Sequence, residues 1–543
     1  MRPPLLSRWL VVCACAAGLL CAAPASSAER SQSQPTLHFT KCGLTPEAKR
    51  TECATAILPL DYDRPQAGQV RIAVARVPAT DQADRIGVLF FNFGGPGGAA
   101  VDYLQFVGAN GLWKNLNRRF DIIAFDPRGV GQSSPAIDCK ANQETIGIYS
   151  EPFVTPFNLD RDALVQKEEA YIQSCLRENG SFLAHVSTAN VAHDMNQIRA
   201  MLGERKLNYF GYSYGTFLGA TFASLFPDGY RAMVLDGPID ATAYVNQPWR
   251  WLAEQTQGFE RALGRFFQAC AGNQTACSGF GGSDPWDAFD QLVDQANANP
   301  IPADGYTPDP RPVTGDDLDW VAINEMYAKE FWGELGGALA MAERGDGSLV
   351  RALADLFYGR LDDGTYAPGL DRYFTIGAAE QRYPRDTSFY FDRGDESWGL
   401  SAHMFWNNGY VELPYGLWPD RDPDAFAGPF RIDDAPTPLV VATTYDPATP
   451  YRDALRLVRD LGKARLITMR GDGHTAYGGE SHCIDKAVNE YLFTRALPPA
   501  GTVCTQQTPF ESLAAQQANP TAAAALRDRR IVTARVPGLA HRG

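Results

Sequence analysis

Past Ala28 the 543-residue chain has no apolar run long enough to cross a bilayer; an α-helical span needs about 20 predominantly apolar residues. This excludes stable membrane insertion of the body of the protein. Positive charge is in deficit. Lys and Arg total 49 against 63 Asp and Glu, a net charge of −14, which argues against nucleic acid and anionic membrane surfaces as partners. No Cys-x-x-Cys pair occurs, so the spacing of a structural zinc site is missing. The chain has no internal repeats, and its one rich glycine run lacks the Gly-Lys-Ser/Thr ending of a phosphate loop. No metal and no organic cofactor is expected.

What is present begins with a leader. Arg2 and Arg8 precede an apolar stretch, Trp9 to Ala23, and the small residues Ala25-Ser26-Ser27-Ala28. This reads as a secretory signal peptide over residues 1–28, cut after Ala28, with a secreted or periplasmic product. Losing two arginines takes the net charge from −14 to −16. Three of the 11 cysteines lie in the leader, which leaves an even eight. An exported chain can hold them as disulfides, and the sequence-local pairs Cys42–Cys53, Cys139–Cys175, Cys270–Cys277 and Cys483–Cys504 are the expected bridges, although sequence alone does not fix the connectivity.

The most informative stretch is Leu207 to Thr216. An apolar run ends in Gly211-Tyr-Ser-Tyr-Gly215 and leads into helical spacing at Leu218, Phe222 and Leu225. Strand, sharp turn and helix around Gly-x-Ser-x-Gly describe a nucleophile elbow with Ser213 at its tip. Further buried strands are expected at Ile86–Asn92, Phe120–Asp126, Arg231–Asp236, Thr437–Asp446 and Ala464–Met469, an antiparallel pair at Ala54–Asp61 and Val70–Val77, and helices at Thr188–Leu202 and Ile484–Arg495. The alternation predicts a mostly parallel sheet covered on both faces. It breaks between residues 241 and 434. Eight of the ten tryptophans lie there, and the segment reads as an inserted, mainly helical cap. The expected organisation is core at 35–240, cap at 241–434, core again at 435–504, and an Ala/Arg-rich tail at 505–543.

A serine hydroxyl needs a base, and the base needs an orienting group. Among His403, His474, His482 and His541, only His474 follows a strand directly, in a glycine-loosened loop at the sheet edge where ligand groups cluster. His474 is therefore the expected base. For the acid, Asp446 at the end of a buried strand ranks before Asp236 and Asp472. The two oxyanion donors are expected to be the N–H groups of Tyr214 and of Gly95, with Gly94 as the fallback, because Pro96 has no N–H to give.

Gly94-Gly-Pro-Gly-Gly98, Asp126-x-Arg128-Gly129-x-Gly131-x-Ser133, Gly211-Tyr-Ser-Tyr-Gly-Thr216, Asp446-Pro-x-Thr-Pro450 and Gly473-His-Thr475 together resemble the secreted tripeptidyl aminopeptidases, relatives of proline iminopeptidases. The resemblance runs from about Thr40 to Cys504. It implies an α/β-hydrolase fold, a Ser213–His474–Asp446 triad and an exopeptidase that takes short peptides from free N-termini. Where family members often carry a cap cysteine, Phe389 to Asp395 has none. An ester hydrolase with the same triad is the alternative, and a silent binding protein a third reading. A cationic α-amino group calls for carboxylates. Glu325, Glu330 and Glu334 are the candidates, although their spacing first reads as a solvated helix face. The oligomeric state is left open.

Overall fold

The structure is a computed structural model that describes residues 36–148, 156–157, 159–400, 403, 408–419 and 421–518. The leader with its cleavage site, Trp406, His541 and the tail beyond residue 518 lie outside the described residues.

Among the described residues ten strands form one sheet: β1 (Thr40–Lys41), β2 (Glu52–Pro59), β3 (Gln69–Val77), β4 (Gly87–Asn92), β5 (Phe120–Phe125), β6 (Leu207–Tyr212), β7 (Tyr230–Asp236), β8 (Leu439–Tyr445), β9 (Arg465–Asp472) and β10 (Val503–Thr505). Their order is β1-β2-β3-β5-β4-β6-β7-β8-β9-β10. The β1–β2, β2–β3 and β3–β5 pairs are antiparallel, and from β5 through β10 all pairs are parallel. Every residue of β4, β5 and β6 is buried, as near-continuous apolar runs require when both faces are covered. The short strands β1 and β10 carry too few residues for a period-2 pattern and are not visible in the sequence.

Helices α1 (Val101–Val107), α2 (Arg161–Asn179), α3 (Thr188–Met201) and α4 (Tyr214–Leu225) connect the first half of the sheet. The sequence reading missed α2, whose buried face includes Glu168 and Ser174 beside Leu164 and Tyr171 and so gives a weak apolar stripe. Between β7 and β8 the chain passes through α5 (Ala241–Asn246), α6 (Pro248–Gly272), α7 (Pro285–Ala298), α8 (Gly315–Glu325), α9 (Trp332–Glu343), α10 (Ser348–Tyr358), α11 (Gly369–Glu380), α12 (Ser388–Ser397) and α13 (Leu413–Leu417). Prolines at the first turns of α6 and α7, and a Thr314–Asp317 capping box on α8, set the starts of these helices. Trp251, Trp320, Trp332 and Trp418 are buried among them, and Trp398 is exposed. Helices α14 (Tyr451–Leu461) and α15 (His482–Thr494) complete the second half, and α16 (Leu513–Ala518) follows. All four expected cysteine pairs are bonded.

The inserted helices rest on the sheet's C-terminal edge. Trp251 Nε1 of α6 donates to Asp453 Oδ2 at 3.1 Å, and Gln255 Nε2 donates to the Ala448 carbonyl at 2.7 Å. The stretch after β10 braces them: Gln516 Nε2 donates to the Glu330 carbonyl, and the Phe510 ring meets Trp332 edge-on.

Several buried acids carry a stability consequence. Burial pushes Asp126 up to about 6, Asp236 to about 7 and Glu380 to about 8. Burial alone would lower His403, but hydrogen bonds to Glu260 and Asp290 and the charges of Glu260 and Asp319 outweigh it and raise it to about 9. Each group holds its proton more tightly folded than unfolded. The stability it contributes is therefore full below its unfolded value and is lost as pH rises through its folded value. Asp309 is lowered, but the acidic range below its ordinary 3.8 is where that acts, and burial lowers His193, a single group that opposes the four raised ones. Scanning calorimetry is expected to give a higher melting temperature near about pH 5 than near about pH 9.

Candidate active site

Ser213 stands between β6 and α4 with φ 53° and ψ −122°, a backbone region that costs a non-glycine residue of order 1–3 kcal/mol. Tight packing holds it there. The Ser213 N–H donates to the Asp236 carbonyl at 2.9 Å, and the Thr216 N–H donates back to the Ser213 carbonyl at 2.7 Å. The turn presents the Ser213 hydroxyl above the sheet edge and leaves the Tyr214 N–H, the first of the helix, without an intrahelical acceptor.

The glycine run after β4 lies directly against this turn. A Cβ placed on Gly94 would stand 2.7 Å from the Tyr212 carbonyl oxygen and 3.1 Å from both Ser213 Cβ and Tyr214 N. The Gly94 N–H is already given to Asn92 Oδ1 at 2.9 Å, and the Gly98 N–H to the Gly94 carbonyl at 3.1 Å. The Gly94 N–H is thereby engaged within the loop itself. Gly95, at φ 102°, follows it in the run and keeps an N–H that neither bond consumes. The Asp-x-Arg-Gly-x-Gly-x-Ser segment anchors the run from behind: the Asp126 carboxylate accepts from the N–H groups of Ala100, Val101 and Gln132 at 2.7, 3.0 and 2.8 Å. Arg128 is buried against Asp194 in a two-pronged pair at 2.7 and 2.8 Å.

His474 and Asp446 meet across the ends of β9 and β8. The imidazole Nδ1 lies 2.8 Å from both carboxylate oxygens of Asp446. That carboxylate also accepts from the N–H groups of Ala448 and Thr449 at 3.0 and 2.8 Å, and from the Thr449 hydroxyl at 3.1 Å. These donors fix the carboxylate, and the carboxylate fixes the ring's tautomer with its proton on Nδ1. The other ring nitrogen, Nε2, is buried and has no hydrogen-bond partner among the described residues. A hydroxyl in a strained turn and an imidazole with one nitrogen tied and the other open are the groups that nucleophilic acyl transfer uses.

The competing acids go elsewhere. The Asp236 carboxylate accepts from the N–H groups of Ala476 and Tyr477 at 2.8 to 3.1 Å, so it holds the loop after His474 rather than the ring. Asp472 pairs with Arg265. His403 lies between Glu260 and Asp290 at 2.9 and 2.8 Å, within the inserted helices. His482 opens α15.

Two glycine and cap contributions escaped the sequence reading. Gly237, at φ 65°, lies under the imidazole: a Cβ there would stand 2.9 Å from Cε1 and 3.3 Å from Nδ1 of His474. Gly237→Ala is expected to push the ring aside and lower kcat by about 100-fold, read in steady-state kinetics, with the melting temperature as a control. The Asp236-Gly237-Pro238 turn at the end of a strand was the available signal. The second contribution is Tyr327. Its carbonyl accepts the His474 N–H at 2.7 Å and its ring packs edge-on to the imidazole at 5.7 Å.

The three glutamates correct the solvated-face expectation. They do not share one helix. Glu325 ends α8, Glu330 lies in a short 3₁₀ turn (Lys329–Phe331), and Glu334 opens α9. Glu325 and Glu334 are buried and Glu330 is half-buried. The break between the helices, Tyr327 to Lys329, is the part that abuts Gly473 and His474.

The chain belongs to the α/β-hydrolase family. The family model described as the alpha/beta hydrolase fold matches residues 87–480, and the protein is a serine hydrolase of that fold. Among curated relatives it is 34% identical over 467 residues to the serine protease Hip1 of Mycobacterium tuberculosis, covering 83% of this chain and 87% of that one. It is 34% identical over 473 residues to carboxylesterase B of the same organism, covering 85% and 87%. To the tripeptidyl aminopeptidase of Streptomyces coelicolor it is 28% identical over 471 residues, covering 84% and 83%.

Proposed function

We propose that this protein is an exported serine exopeptidase that removes short peptides from free N-termini. The observation that carries the reading is the His474 ring, tied at Nδ1 to Asp446 and open at Nε2, at the same sheet edge as Ser213. His474 Nε2 takes the Ser213 proton as Oγ attacks the scissile carbonyl. The N–H groups of Gly95 and Tyr214 receive the negative charge that develops on the carbonyl oxygen. His474 then passes its proton to the leaving amine, and an acyl-enzyme remains. A water deprotonated by His474 releases the peptide. The reaction needs no metal and no organic cofactor, and chelators are expected to leave activity unchanged.

Buried Glu325 and Glu334, flanking the segment that holds His474, supply the negative field for a substrate α-ammonium group, with Glu330 at the rim. Export rests on the leader at residues 1–28 and on the four disulfides. In this reading the cap at 241–434, inserted between core at 35–240 and returning core at 435–504, is a roof that selects the substrate.

The test compares tripeptide arylamides with free and acetylated N-termini. The exopeptidase reading predicts turnover of the free form and loss of most of it on acetylation. Equal rates would refute it. A second reading, carboxylester hydrolysis, is favoured by the relative named carboxylesterase B, which is as similar as the one named a protease. Fast turnover of short-chain nitrophenyl esters with no turnover of any arylamide would select it.

A further inference from the structure

Arg372 is a buried cation that the reaction above does not use. It stands in the first turn of α11, and its Cβ would lie 2.7 Å from a Cβ built on Gly97, so the helix sits directly on the glycine run beside Ser213. The residue is 7% exposed. Its Nε donates to the Ile137 carbonyl at 3.3 Å. Among the described residues neither terminal guanidinium nitrogen has a hydrogen-bond or ion-pair partner. The neighbouring carboxylates are committed to other donors. Asp371 accepts from the Cys139 N–H, Gln143 and Tyr171 at 2.9, 2.7 and 2.8 Å, and Asp126 from three backbone N–H groups.

A side chain this largely buried, with no carboxylate on its guanidinium, gains from an incoming anionic partner, and its terminal nitrogens stay within reach of solvent. Burial does lower its proton affinity, and the distant charges of Asp126, Asp138, Asp371 and Asp102 only partly offset it. Every other described arginine buried as deeply makes an ion pair: Arg128 with Asp194, and Arg351 with Glu144, Asp317 and Asp355. The next residue, Tyr373, lines a small aromatic cavity with Trp251, Gln255, Gln381, Tyr383 and Tyr415. Gln255 ties that cavity to the Asp446 loop through the Ala448 carbonyl. Arg372 thus packs against the glycine run, and its sequence neighbour Tyr373 lines the small cavity.

We propose that Arg372 is an anion subsite that receives a carboxylate of the peptide substrate beside the scissile bond. Its fork of paired donors suits a carboxylate in two-pronged geometry. The carboxylate comes either from an acidic side chain of the peptide or from the free C-terminus of a short one. The proposal rests on the peptidase reading, and the experiment separates the two. One arm measures kcat/KM for tripeptide arylamides with Glu or Gln at each position in turn. The other compares tetrapeptides with free and amidated C-termini. The readout is the ratio of carboxylate to amide substrate within one enzyme preparation, which cancels any loss of folded protein.

Wild type is expected to favour the carboxylate at one position by about 10- to 100-fold. Arg372→Gln is expected to bring that ratio to about one, and Arg372→Lys to recover part of it. A ratio of one at every position in wild type overturns the subsite, as does an unchanged ratio in Arg372→Gln. Absence of turnover for all peptides, neutral ones included, overturns the peptidase reading instead.

Discussion

Ser213→Ala is expected to lower kcat for a free tripeptide arylamide by a factor on the order of 10⁶ while leaving KM nearly unchanged. Removing one oxygen deletes the only atom able to form the acyl bond. It leaves the N–H groups of Gly95 and Tyr214 and the surrounding cap in place, so substrate binding persists. The fold is also expected to survive. Ser213 holds its turn through its backbone N–H and carbonyl, bonded to the Asp236 carbonyl and the Thr216 N–H, and alanine keeps both. Residual activity comes from the remaining donors and from binding alone. Steady-state kinetics together with a melting curve check both halves. A variant that keeps a tenth of wild-type kcat would remove Ser213 from the reaction.

Asp446→Asn is expected to cost about 10⁴-fold in kcat, and the hydrogen bonds around the carboxylate say why. Oδ1 accepts two backbone N–H groups, from Ala448 and Thr449, so the amide oxygen of asparagine must take that place. The amide nitrogen is then forced to the Oδ2 side, toward His474 Nδ1. There it donates to Nδ1, and the ring proton moves to Nε2. In that tautomer Nε2 cannot accept the Ser213 proton. The variant should therefore fold and bind substrate, with the loss confined to kcat. If it instead retained most of its activity, the orienting role would have to pass to another acid. Asp236 is poorly placed for it, because its carboxylate is already engaged by the N–H groups of Ala476 and Tyr477.

The sheet and the elbow were legible because they are encoded locally. β4, β5 and β6 are uninterrupted apolar runs, and Gly211 and Gly215 bracket Ser213 at fixed offsets. His474 and Asp446 were legible because each directly follows a strand, and the parallel pairing of β8 with β9 brings the two ends together. What the sequence hid is relational. Glu325 and Glu334 carry charges and helical spacing, the pattern of a solvated face, and only the fold of the insert turns them inward. The hold of the Tyr327 carbonyl on His474 uses a backbone atom, for which residue identity gives no signal. Arg372 reads as one more surface arginine until the packing of α11 on Gly97 is known. The engagement of the Gly94 N–H likewise depends on a single side chain, the Asn92 Oδ1 that accepts it.

The central claim is that Ser213 is the nucleophile and is activated through His474. The most direct measurement is peptide mapping by mass spectrometry after reaction with a fluorophosphonate, run on wild type and on His474→Ala. One adduct per chain, on the peptide containing Ser213, in wild type, with labelling of His474→Ala slowed by several orders of magnitude, is the predicted result. An adduct on another residue, or equal labelling rates in the two proteins, would contradict it.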